Sequence, residues 1–90
     1  MPASYERVIT LDGDLHARPA GQLAVAAAGF AADVSLTVGE RTANAKSVLA
    51  VMGLGATSGQ KVTATAAGPD AEQAVAAVIA ILADASTVGG

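Results

Sequence analysis

From Val34 to Val38 the apolar side chains fall on every second residue, with Ser35 and Thr37 between them, whereas Val75, Val78, Ile79 and Leu82 repeat at i, i+3, i+4 and i+7. The chain therefore carries both a strand with one wet face and a helix with an apolar stripe, and each must bury one side against something. Two more segments have period 2. Ser4 to Leu11 places Tyr5, Ile9 and Leu11 on one side, interrupted by Arg7, and Gln60 to Ala67 sets Val62, Ala64 and Ala66 against Lys61, Thr63 and Thr65. Gly39-Glu40 turns the Val34 strand into a short partner, Arg41 to Ala45, which makes a hairpin.

Helical segments fill the gaps. Asp12-Gly13-Asp14 is turn chemistry, after which Ala17 to Ala28 is alanine-rich, with Leu23, Ala27 and Phe30 at helical spacing and Gly29 as its terminator. Ser47 is placed to cap a short helix over Val48 to Met52, stopped by Gly53 and Gly55. Asp70, with Gln73 three residues on, has the spacing of a capping box for the last helix. The order is β-α-β-β-α-β-α. All three helices need the same sheet, so a two-layer α/β sandwich is expected, with the face bearing Thr37, Thr63 and Thr65 left largely in water.

Ninety residues suffice for one core, taken here as residues 1–85, with 86–90 as a flexible C-terminal tail. Twenty-three residues are alanine, and Val, Ile, Leu, Met and Phe together contribute another 23, so most large aliphatics must face inward. Without cysteine there are no disulfides, thiolate nucleophiles or Cys-ligated zinc, and one histidine among scattered carboxylates has no credible metal-ligand spacing. No metal and no cofactor are expected. A net charge of −3 and near-absent aromatics argue against nucleic acid. The longest uncharged runs, Pro19 to Ala32 and Ser47 to Gln60, are glycine-interrupted and short of the ~20 residues a membrane helix needs, so a cytoplasmic protein with no membrane insertion is expected.

His16 lies where the first strand has ended and the first helix begins, followed by Ala17, Arg18 and Pro19. A helix start offers unpaired N–H groups and the positive end of the helix dipole, Arg18 adds a cation whose fork matches phosphate oxygens, and Pro19 sacrifices no needed donor in the first turn. A neutral imidazole there is a nucleophile for a phosphoryl group. On position alone His16 reads equally as a cap or a plain surface residue.

The stretch Leu15-His16-Ala17-Arg18-Pro19-Ala20 resembles the active-site signature of HPr, the histidine phosphocarrier family of the bacterial phosphoenolpyruvate:sugar phosphotransferase system. Lys46-Ser47-Val48-Leu49-Ala50-Val51-Met52-Gly53-Leu54-Gly55 resembles the family's second signature, around its regulatory serine. The separation of the two and the order of elements match as well. The resemblance implies an open-faced sandwich with a four-stranded, mainly antiparallel sheet and three helices on one face. It implies that His16 accepts phosphate on Nδ1 from phospho-enzyme I and passes it to enzyme IIA components. Arg18 is then the phosphate partner, with the backbone N–H groups of Ala17 and Arg18 around the phosphoryl oxygens. The protein is expected to be a monomer and a carrier rather than a stand-alone enzyme.

Two positions depart from the family's pattern. Asp14 stands where a glycine is usual, two residues from His16, where its charge would repel incoming phosphate; Arg7 stands at a normally apolar strand position. Ser47 has a sufficient role as a cap, and the resemblance adds regulatory phosphorylation by HPr kinase/phosphorylase. A phosphate there would bring about −1.5 to −2 charge. So short a helix cannot bury Val48, Leu49, Met52 and Leu54 together, so some form an apolar patch; Ala20, Val48, Leu49 and Met52 are taken as partner-docking residues. Alternatives are a paralogous carrier in a nitrogen-regulatory or dihydroxyacetone-kinase relay, a regulatory binding module controlled through Ser47, and a structural module with an inert His16.

Overall fold

The structure is a computed structural model that describes residues 4–88. Its elements are β1 (Ser4–Thr10), α1 (Ala17–Ala28), β2 (Asp33–Val38), β3 (Arg41–Asn44), α2 (Val48–Gly53), β4 (Lys61–Ala67) and α3 (Ala71–Val88). The four strands form one sheet in the order β1-β4-β2-β3, and every neighbouring pair is antiparallel. Helix α3 runs past the expected domain end, and the last two residues of the expected tail, 89 and 90, lie outside the described residues.

The period-2 pattern sets the two faces. Val34, Leu36 and Val38 of β2 and Val62, Ala64 and Ala66 of β4 are buried, on the side that the helices cover. The register puts Ser35 beside Thr65 and Thr37 beside both Thr63 and Thr42, so the open face carries a polar ladder, tied at one point by the Thr37 and Thr42 hydroxyls 3.2 Å apart. Between the layers lie Leu11, Leu23, Leu36, Val51, Val62, Val75, Val78 and Leu82, all fully buried. Ten of the twenty-one buried core residues among the described residues are alanine, so the helices approach the sheet closely.

One local expectation needs correction, and two others gain detail. Tyr5 lies on the edge strand β1 and is 42% exposed, and Val8 on the other face of that strand is 56% exposed. Gly29 ends α1 as expected, though in a right-handed conformation, φ −78°, where a glycine terminator usually supplies a left-handed one. The Asp70 carboxylate does not complete a capping box. It spans to the α1–β2 turn, where Oδ2 accepts the Ala31 N–H at 2.9 Å and Oδ1 the Ala32 N–H at 2.8 Å, while the Asp70 carbonyl accepts Ala74 N–H. The turn that follows α1 thus has two of its N–H groups held by a residue 39 and 38 positions away.

Candidate phosphoryl-acceptor site

His16 is the N-cap of α1, with extended dihedrals of −95° and 175°, and its carbonyl accepts the Ala20 N–H at 3.1 Å. Its imidazole makes no capping bond and is exposed. In most helices a polar N-cap side chain folds back onto the first turn. Here the Ala17 and Arg18 N–H groups have no acceptor in the chain among the described residues, and Pro19, buried against the core, has no N–H to offer. No acidic residue lies in the first turn, so nothing anionic occupies the positive end of the helix from within it. His16, Ala17 and Arg18 are all exposed at this point.

The loop that presents His16 is fastened to the segment preceding β4. Leu11 N–H donates to the Gln60 carbonyl at 2.9 Å, Gly59 N–H donates to the Leu11 carbonyl at 2.8 Å, and Leu15 N–H donates to the Ala56 carbonyl at 3.0 Å. Asp14 joins this set: its Oδ1 accepts the Ser58 N–H at 2.9 Å, and the Ser58 hydroxyl donates to the Asp12 carbonyl at 3.1 Å. The backbone at Asp14 requires no glycine, because no non-glycine residue among those described has a positive φ. Ser58 had no visible part in the sequence pattern. It lies 44 residues from Asp14, and no local spacing announces such a contact.

Ser47 caps α2 as expected, its Oγ accepting the Ala50 N–H at 3.2 Å, and the serine is exposed. Beyond it Leu49 is 86% exposed, Met52 40% and Val48 38%, whereas Val51 and Leu54 are buried. Helix α2 thus divides its apolar residues between core and surface. Ala20 belongs elsewhere: it is fully buried, with 0% exposure, because its position on α1 faces the core. A side chain without surface has nothing to offer a partner, so Ala20 is not a docking residue. Among the described residues no group of three His, Cys, Asp or Glu side chains could hold a metal ion, and no helix is long and apolar enough to cross a membrane.

Known proteins share this arrangement. The family profile described as "PTS HPr component phosphorylation site" matches residues 4–84. The phosphocarrier protein HPr of Mycoplasma capricolum is 34% identical over 88 residues, 98% of this chain and 99% of its own, and that of Vibrio cholerae is 39% identical over 74 residues, 82% and 87%. A crystal structure of HPr from Bacillus anthracis superposes with a TM-score of 0.81 at 33% identity, covering 89% of this chain and 98% of that one. With an exposed histidine at the N-cap position of the first helix, an open-faced antiparallel sheet and relatives aligned over nearly their whole length, the chain belongs to the HPr phosphocarrier family of the phosphotransferase system.

Proposed function

We propose that His16 is the phosphoryl acceptor, taking the group from phospho-enzyme I and handing it to enzyme IIA components of sugar transporters. The observation that carries this is the N-cap geometry: an exposed imidazole, uncommitted to capping, at a helix start with two open N–H groups, with the exposed Arg18 two residues on. The ring nitrogen attacks phosphorus as the donor's bond to it breaks, and the electron pair leaves with the donor atom. His16 sheds one proton, and the donor takes one up. The phosphoryl oxygens then face the Ala17 and Arg18 N–H groups and the helix dipole, which suit a dianion without further rearrangement. Onward transfer reverses these bonds on a new acceptor.

Docking falls to Val48, Leu49 and Met52, whose exposed apolar surface suits a transient interface with several partners. The cell compartment proposed is the cytoplasm, and the protein acts as a monomer forming brief complexes. Ser47 is proposed as a regulatory site for a kinase of the HPr kinase/phosphorylase type. Its exposed hydroxyl is accessible, and a phosphate there would place negative charge beside the docking residues.

The test is transfer of label from phosphoenolpyruvate through enzyme I. Wild type acquires acid-labile label and His16→Ala does not, while both give the same circular dichroism spectrum; label on the alanine variant would refute the assignment. For Ser47, intact mass after incubation with ATP and the kinase rises by one phosphate in wild type and stays fixed in Ser47→Ala.

A further inference from the structure

We propose that Asp14 is a fixed negative charge that raises the phosphoryl-transfer potential of His16, so that the group, once accepted, is passed on rather than retained. This rests on the carrier function proposed above and assigns a residue that tunes it.

The carboxylate is held in place. Its Oδ1 accepts the Ser58 N–H at 2.9 Å, the Ser58 hydroxyl donates to the Asp12 carbonyl at 3.1 Å, and the next residue, Leu15, is bonded through its N–H to Ala56. A free surface carboxylate swings away from an approaching anion, but one tied into a backbone frame does so only by giving up its bond. The Cα atoms of Asp14 and His16, two residues apart, lie within ~7 Å of each other, and the two side chains together add roughly as much again at full reach. Any such separation is inside the Debye length of about 30 Å at 0.01 M ionic strength. Among the described residues no cation pairs with Asp14, so its charge stays uncancelled and Arg18 remains available to the phosphoryl group. Asp12 is two residues farther along the chain from His16 and is held through its carbonyl, not its carboxylate.

The repulsion acts almost wholly on one state. A neutral imidazole interacts little with Asp14, whereas a phosphoryl group brings roughly two negative charges to the same spot. In the onward step the N–P bond of His16 breaks, the electron pair stays on the ring nitrogen, and that ring regains a proton. The acceptor's nucleophile loses a proton as it bonds phosphorus. The dianion has then left the vicinity of Asp14, and the strain is relieved. Acceptance becomes less favourable by the same factor, which a donor driven by phosphoenolpyruvate tolerates.

Asp14→Asn tests this, because the amide keeps an Oδ1 for the Ser58 N–H and removes only the charge. Equal amounts of isotope-labelled wild type and unlabelled variant compete for limiting phosphoenolpyruvate with catalytic enzyme I, and the phosphorylated fraction of each is read by intact mass. At about 0.01 M ionic strength the phosphoryl group should favour the asparagine variant by roughly two- to tenfold, and at about 1 M salt, where the Debye length falls to ~3 Å, the ratio should approach one. Equal partition at low salt overturns the proposal, as does a preference that salt leaves unchanged, which would be structural in origin. If enzyme I is phosphorylated but neither protein takes up the group, the carrier function itself fails, and the role of Asp14 falls with it.

Discussion

Gly68 passes so close to Ala32 that a Cβ built on it would lie 2.7 Å from the Ala32 Cα. These two residues sit in the turns that end α1 and begin α3, the same turns that the Asp70 carboxylate ties together through the Ala31 and Ala32 N–H groups. Backbone contact and carboxylate clamp act on one junction. It holds α1, and with it the His16 end of that helix, against the rest of the core.

Gly68→Ala should therefore be among the most damaging small substitutions. The native φ of 147° is open to glycine and costly for alanine, and the new methyl group meets backbone rather than a yielding side chain. Strain and clash together should cost about 2–3 kcal/mol. Urea unfolding would read this as a lower midpoint at unchanged slope; an unshifted midpoint would mean that the two turns are free to separate.

The clamp predicts an acid limb in the stability curve. Asp70 has its carboxyl held below its ordinary 3.8, chiefly by the Ala31 N–H, with the Ala32 N–H and the positive charge of Lys46 adding to the effect against a smaller loss of hydration. A folded-state value below the unfolded one means stability that is present above the unfolded value and is lost as pH falls through the folded one. Unfolding midpoints should decline below about pH 4 in wild type and decline less steeply in Asp70→Asn, whose amide cannot accept both N–H groups equally well. Parallel acid limbs in the two proteins would remove Asp70 from this role.

Ser47→Ala removes the acceptor for the Ala50 N–H and should cost about 1 kcal/mol, the usual worth of an N-cap. The loss should be local. Amide exchange should quicken in α2, which has little more than one turn to lose, and stay unchanged in β2 and β4. Uniform acceleration across the sheet would contradict this.

Leu49 and Leu82 are the same residue in opposite circumstances, one 86% exposed and the other fully buried. Leu82→Ala should cost about 2–5 kcal/mol through lost burial and a cavity, whereas Leu49→Ser should change stability by less than about 0.5 kcal/mol. In exchange, Leu49→Ser should raise the KM of enzyme I for the carrier severalfold with kcat little altered. Unchanged KM would take α2 out of the docking surface.

Most of the element order was legible because period 2 and period 3.6 alternate cleanly along the chain, and the helix α1 expected over Ala17 to Ala28 spans those residues. His16 was legible as an exposed residue at the start of α1, while its proposed role came from the resemblance of Leu15 to Ala20 to the family signature and not from position alone. What escaped were long-range uses of polar residues. Asp70 has the spacing of a capping box, yet its oxygens serve a turn 38 and 39 residues away, and Asp14, a misplaced charge by local standards, is engaged by Ser58. Ala20 escaped for a different reason: beside an exposed histidine an alanine reads as surface, and only the rotation of the helix about its axis decides that it is core.

The alanine-rich interior also governs how stability responds to temperature. The heat-capacity change on unfolding grows with the apolar area exposed, and an alanine methyl exposes far less than a leucine or phenylalanine side chain. With ten alanines among its buried core residues, this fold should fall at or below the usual ~12–15 cal/mol/K per residue. A small heat-capacity change flattens the Gibbs–Helmholtz curve, so folding free energy should vary little between cold and warm conditions.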